Sequence, residues 1–240
     1  MQSSNPTLNN KMFGATRVAP GQEVMTTRGA YIKTGILLAL CISAATFTWS
    51  ATGASFMMPG LIGGFILAMI TIFKKEWSMI TAPLYAVCEG LALGGISFMY
   101  QTQYPGIVSN AIMLTFAVMA LMLYAYASGM IKVTEKFKKI LMISTGAIFL
   151  VYMVGFIMSF FGSSIPMIHG AGPIGIGFSL VVVGIASFNL IMDFDFIEKT
   201  AATRSAPKYM EWFAAFGLMV TLVWLYLEIL RLLSKLNSRR

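Results

Sequence analysis

Five carboxylates stand in or beside long apolar stretches: Glu89, Asp193, Asp195, Glu211 and Glu228. An ionisable group at membrane depth is costly and is a functional candidate by default. A carboxylate there can hold a proton or bind a hard cation such as Ca²⁺, which favours several oxygen ligands. Two that meet can share one proton and titrate as a unit. Asp193 and Asp195 are two residues apart, about 200° of helical rotation, so they do not share a face. Asp195 reaches Lys199 at i+4, an ordinary ion pair. Asp193 then projects toward neighbouring helices and is the stronger candidate. The alternative is that both simply end a helix at the cytoplasmic interface. Glu228 has apolar turns behind it; its alternative is an i+3 pair with Arg231 that snorkels to the surface. Glu89, between Cys88 and Gly90, has no charged residue within ten positions. It reads as functional or as a protonated, hydrogen-bonding strut.

If Asp193 and Glu228 meet, the pair latches two helices when protonated. Deprotonated, it repels itself or recruits a cation such as Ca²⁺. That is a pH-sensitive cation gate made of two residues.

Such groups need a scaffold. The chain has 240 residues, 58% hydrophobic and only 11% charged, against roughly 25% charged in ordinary soluble domains. Between positions 34 and 191, charge falls only at 74–76, at 132–139 and at Glu89. A spanning helix needs about 20 mostly apolar residues. Seven runs qualify: 34–52, 56–73, 79–99, 107–127, 140–161, 174–192 and 212–233. The expected fold is an all-α, seven-helix membrane bundle. Residues 1–33 are expected as a mobile cytoplasmic tail, 34–233 as the membrane domain and 234–240 as a short basic tail. No cleavable signal peptide is expected, because the first apolar run has the length of a span.

Basic residues set the orientation. Thirteen Lys and Arg lie in the N-terminal tail and the second-to-third, fourth-to-fifth and sixth-to-seventh connections; the alternate connections carry none. The N-terminus is therefore expected in the cytoplasm. Seven spans then put the C-terminus outside, although it carries Lys235, Arg239 and Arg240. The net charge of +8 suits lipid headgroups, and no nucleic-acid partner is expected.

Other motifs carry less. Gly90 and Gly94 form a G-x-x-x-G, and Gly60, Gly63 and Gly64 cluster on the second span; small faces let helices approach. Gly170, Gly172 and Gly175 match G-x-G-x-x-G, but a dinucleotide site requires a preceding strand. Cys41 and Cys88 read as reduced packing residues. An intramembrane serine protease needs Ser and His at membrane depth, and the one histidine, His169, falls in a connection. There it is a solvated loop residue or, with an unperturbed pKa of about 6.5, a pH sensor. An aspartyl protease would need Glu228 to replace its second aspartate. No enzyme, cofactor or His/Cys metal site is expected.

Met192-Asp193-Phe194-Asp195-Phe196-Ile197 on the sixth run and Leu225-Tyr226-Leu227-Glu228-Ile229-Leu230 on the seventh resemble the Bax inhibitor-1-like family of membrane proteins. The stretches YIKTGILLAL, FKKEWSMITAPLYAVCEGLALGGIS, YPGIV and APKYMEWFAAFGLMVTLVWLYLEILRLL resemble its bacterial branch. The resemblance implies seven helices with the last one central, and a pH-sensitive calcium leak or exchanger governed by an aspartate pair. Its sixth-helix member falls on Asp193, spaced from Ile197 as in the family, and its seventh-helix member on Glu228, where the family typically has Asp. By depth, Glu211 is the alternative partner, since Glu228 lies about 24 Å of helix beyond Trp212 at about 1.5 Å per residue. The resemblance also implies a non-channel alternative: a regulator of stress or cell-death pathways, or of a membrane quality-control protease. The contact surfaces would then be the basic 132–139 segment and the N-terminal tail. A bacterial source would place the chain in the plasma (inner) membrane.

Overall fold

A computed structural model describes residues 23–50, 53–162 and 170–238. Seven α-helices run through them: α1 Thr27–Phe47, α2 Met57–Phe73, α3 Ser78–Gln103, α4 Ile107–Ala127, α5 Glu135–Phe160, α6 Pro173–Ala202 and α7 Met210–Asn237. Short 3-10 turns at Gly53–Phe56 and Lys75–Trp77 lead into α2 and α3. The described residues contain no strand, only an isolated bridge between Val24 and Pro207.

Six of the helices are long and apolar enough to cross a membrane; the 17-residue α2 is apolar but shorter. Their outer faces fit lipid. Ile62, Phe65 and Ile66 of α2, and Ile143, Phe149 and Phe156 of α5, are all exposed. A water-soluble chain does not leave apolar surface of that extent uncovered. The chain is an integral, multi-pass, all-α membrane protein. Of the six spans α7 is the most enclosed, with 61% of its apolar window buried against 11% for α5.

Several helices outrun the apolar runs that announce them. Backbone hydrogen bonding continues into polar sequence wherever caps and side-chain pairs support it. Thr26 caps α1 by accepting from Gly29 N at 3.0 Å, so the helix starts seven residues before position 34. Residues 23–33, expected in a tail, are folded; residues 1–22 lie outside the described residues. Likewise Thr134 caps α5 through Phe137 N at 3.1 Å. At the other end of the chain α7 reaches Asn237, so its last turn takes in residues expected in the C-terminal tail. The largest difference is at α6, which runs to Ala202 and leaves Asp193 well inside the helix. The Gly-rich match at 170–175 simply leads into α6.

By packing, the chain divides into two compact units: Met1–Gly95 with Asp195–Met219, and Ile96–Phe194 with Val220–Arg240. In the first unit, α3 lies against α1 and α2 through its small residues. A Cβ on Gly90 would collide with the Cys41 carbonyl of α1, and one on Gly94 with Ala45 and Thr48. On the α2 side, a Cβ on Gly60 would stand 2.7 Å from the Cys88 carbonyl oxygen. Gly60, Gly90 and Gly94 serve packing by close backbone approach, while Gly63 and Gly64 face the Cys88 and Glu89 side chains. Gly106, at φ 83°, supplies the left-handed residue that turns the chain into α4.

Candidate functional site

In the second unit, Asp193 faces α7. The Thr221 hydroxyl hydrogen-bonds its carboxyl. The Asp193 Oδ2 atom is buried and has no hydrogen-bond partner. No ion pair involves Asp193 among the described residues. A buried carboxylate in this position has little to offset the loss of water around its charge.

Glu228 has the opposite surroundings. It is buried, and three side chains donate to its carboxylate. Arg231 Nη1 reaches both oxygens at 2.8 and 2.9 Å. The Tyr152 hydroxyl of α5 lies 2.9 Å from each. Trp224 Nε1 is 3.3 Å from Oε1. Arg231 Nη1 also donates to the Tyr152 oxygen at 2.7 Å, and its guanidinium lies over the Tyr152 ring. Glu228, Arg231 and Tyr152 therefore form a closed, charge-compensated set, with the i+3 geometry that α7 imposes.

Asp193 and Glu228 are not hydrogen-bonded to each other. The α7 partner of Asp193 is Thr221, seven residues before Glu228, or about 10 Å of helix at about 1.5 Å per residue. Among the described residues, no three of His, Cys, Asp and Glu gather as a metal-binding set.

The other carboxylates lie in the first unit. Asp195 accepts from Lys199 at 2.8 Å in the i+4 pair. Glu211 is buried and serves as an anchor for the chain before α1. It accepts from Thr26 N at 2.9 Å and Thr26 Oγ1 at 2.8 Å. It also pairs with Lys33, and Lys208 lies 3.7 Å away. Met25 N donates to the Ala206 carbonyl beside it at 2.8 Å. Glu89 is half-buried on α3, with the Tyr85 hydroxyl one turn earlier in hydrogen-bonding reach. His169 lies outside the described residues.

Tyr152, Thr221 and Trp224 were missed as partners. Tyr152 and Thr221 are single hydroxyls in apolar runs, and their roles appear only once distant helices meet; Trp224 stands at i−4 from Glu228 on α7, a spacing the sequence does offer. A buried lysine was missed as well: Lys235 donates to the Gly175 carbonyl at 3.0 Å and to Ser179 Oγ at 2.8 Å.

No curated protein and no solved structure matches the chain. A family model described as Bax inhibitor 1 like matches residues 5–238, nearly the whole length. With its apolar helices and membrane-depth carboxylates, this chain belongs to the Bax inhibitor 1 like family.

Proposed function

We propose that the protein is a cation leak or exchanger, with calcium as cargo, whose flux is set by the protonation of Asp193. The observation that carries this reading is the buried Asp193 Oδ2 without a hydrogen-bond partner. An ionised carboxyl in that place needs a proton or a cation to offset its charge. Protonated, Asp193 is neutral and α6 rests on α7 through Thr221. Ionised, it draws a cation into the apolar interior. Glu228, neutralised by Arg231, is a second station about two turns further along α7, and it becomes available only when Arg231 lets go. This replaces one shared proton with two carboxylates acting in sequence, and it assigns no catalytic residue and no resident cofactor. The asymmetry of Lys and Arg between alternate connections supports an N-terminus in the cytoplasm, and the bacterial resemblance supports the inner membrane.

The test is calcium flux into liposomes holding the purified protein, across pH 6 to 8, for wild type, Asp193→Asn and Glu228→Gln. A pH dependence lost in Asp193→Asn and only displaced in Glu228→Gln supports the reading. Flux no greater than in empty liposomes at every pH removes it.

A second reading has its own observation. Lys132, Lys136 and Lys139 are exposed around the start of α5, a basic surface suited to an acidic partner segment. A regulator of a membrane protease or stress pathway would use it. Capture of a membrane partner that is lost when these lysines become Glu, with no flux in the purified protein, favours that account.

A further inference from the structure

Among the described residues, Glu89 is the membrane-depth carboxylate outside the second unit for which no ion pair is found. It lies eleven residues after Ser78 and fourteen before Gln103 on α3. That is about 16 and 21 Å from the helix ends at about 1.5 Å per residue, near the middle of the span. Asp195, Glu211 and Glu228 each have a Lys or Arg; no Lys, Arg or His pairs with Glu89 among the described residues.

Its surroundings are specific. Tyr85, itself buried, presents its hydroxyl from one turn earlier. From α2, Gly64 leaves room: a Cβ there would stand 3.0 Å from Glu89 Oε2. Gly63 and Gly64 bring no titratable group. Cys41 of α1 and Cys88 of α3 lie near enough to feel the carboxylate charge. Among the described residues, the titratable groups found near Glu89 are one phenol and two thiols, and none is a cation.

We propose that Glu89 is a proton-exchanging site within the membrane, distinct from Asp193, that takes up and releases H⁺ beside the Tyr85 hydroxyl. Both protonation states have a partner. The phenol donates to the carboxylate and accepts from the carboxylic acid, so neither state strands a buried polar group. A divalent cation is not the expected ligand, because Ca²⁺ takes about six to eight oxygens, several of them carboxylates, and no group of three His, Cys, Asp or Glu gathers among the described residues. The inference does not rest on the cation-leak reading and survives its failure.

The experiment uses the full chain in liposomes and N,N′-dicyclohexylcarbodiimide, an apolar reagent that forms adducts with protonated carboxyls. Peptide mass mapping reads the adduct on the segment containing Glu89. Labelling is expected at low pH and falls about tenfold per pH unit once the carboxyl ionises. Excess Ca²⁺ leaves it unchanged, Tyr85→Phe moves its pH midpoint, and Glu89→Gln abolishes it. No adduct on that peptide at any pH, labelling that ignores pH, or protection by Ca²⁺ would each overturn the proposal. The wild-type measurement suffices alone if a variant fails to fold.

Discussion

The Thr221 hydroxyl hydrogen-bonds the Asp193 carboxyl, joining α6 to α7 two turns before Glu228. Thr221 is one neutral donor, and Oδ2 has none, whereas Glu228 has three donors, one of them charged. Thr221→Val keeps the shape and removes the donor. The expected cost is about 1–3 kcal/mol, the penalty for stranding a buried polar group, read as a lower Tm in detergent. In Asp193→Leu, the same Thr221→Val change costs much less. Equal losses in both backgrounds would break the assigned contact.

Glu228 and Arg231 predict the opposite pattern. Breaking a buried pair from one side leaves an uncompensated charge and costs about 3–5 kcal/mol. Arg231→Met alone is therefore expected to destabilise the protein more than the double change Arg231→Met with Glu228→Met. Tyr152→Phe, which removes one neutral donor, costs about 1 kcal/mol. A double-mutant cycle by thermal unfolding measures all three. If the double variant is the least stable, the set is not closed as described.

Gly29 predicts a local effect with a clear readout. A Cβ at Gly29 would run into the Glu211 carboxylate, which holds Thr26 and Lys33. Gly29→Ala is expected to expel Glu211 and free the chain before α1. The loss of the Thr26 cap adds about 1 kcal/mol. Trypsin should then cut faster at Arg28. Gly35→Ala is the control, since nothing lies within 4 Å of a Cβ there. Unchanged proteolysis in Gly29→Ala would mean that Glu211 does not anchor this segment.

The helices were legible because apolar runs are long and their breakers are strong. Residues 107–127 match α4 end to end, bounded by Gly106 and Ser128. The end of α6 lies beyond its apolar run for a physical reason. Hydropathy falls at Asp193, but the helix runs on, supported by the Asp195–Lys199 pair, so the carboxyl lies deeper than the apolar run implies. Pairs along one helix were readable from spacing, as for Asp195 with Lys199 and Glu228 with Arg231. Tyr152 is 76 residues from Glu228, and no local pattern reports that distance. Glu211 looked like the alternative to Glu228 by depth, yet it is held by Thr26 and Lys33, some 180 residues earlier.

Lys235 bears on topology as well as stability. Three basic residues near the C-terminus sit oddly with an outside location under the positive-inside rule. Lys235 is buried, and its ammonium is spent on the Gly175 carbonyl and Ser179 Oγ at the start of α6. A cation consumed in packing is a weak topological signal, so the conflict shrinks to Arg239 and Arg240. Ser179→Ala leaves the ammonium short of an acceptor and is expected to cost about 1.5–3 kcal/mol, the range for a hydrogen bond to a charged group. In a Lys235→Met background, the same change is nearly neutral. A C-terminal reporter enzyme active only outside the cytoplasm should give the same signal in wild type and Lys235→Met. A signal that rises sharply in Lys235→Met would mean that Lys235 acts as a free charge holding the terminus inside, and would remove both its packing role and the C-out arrangement.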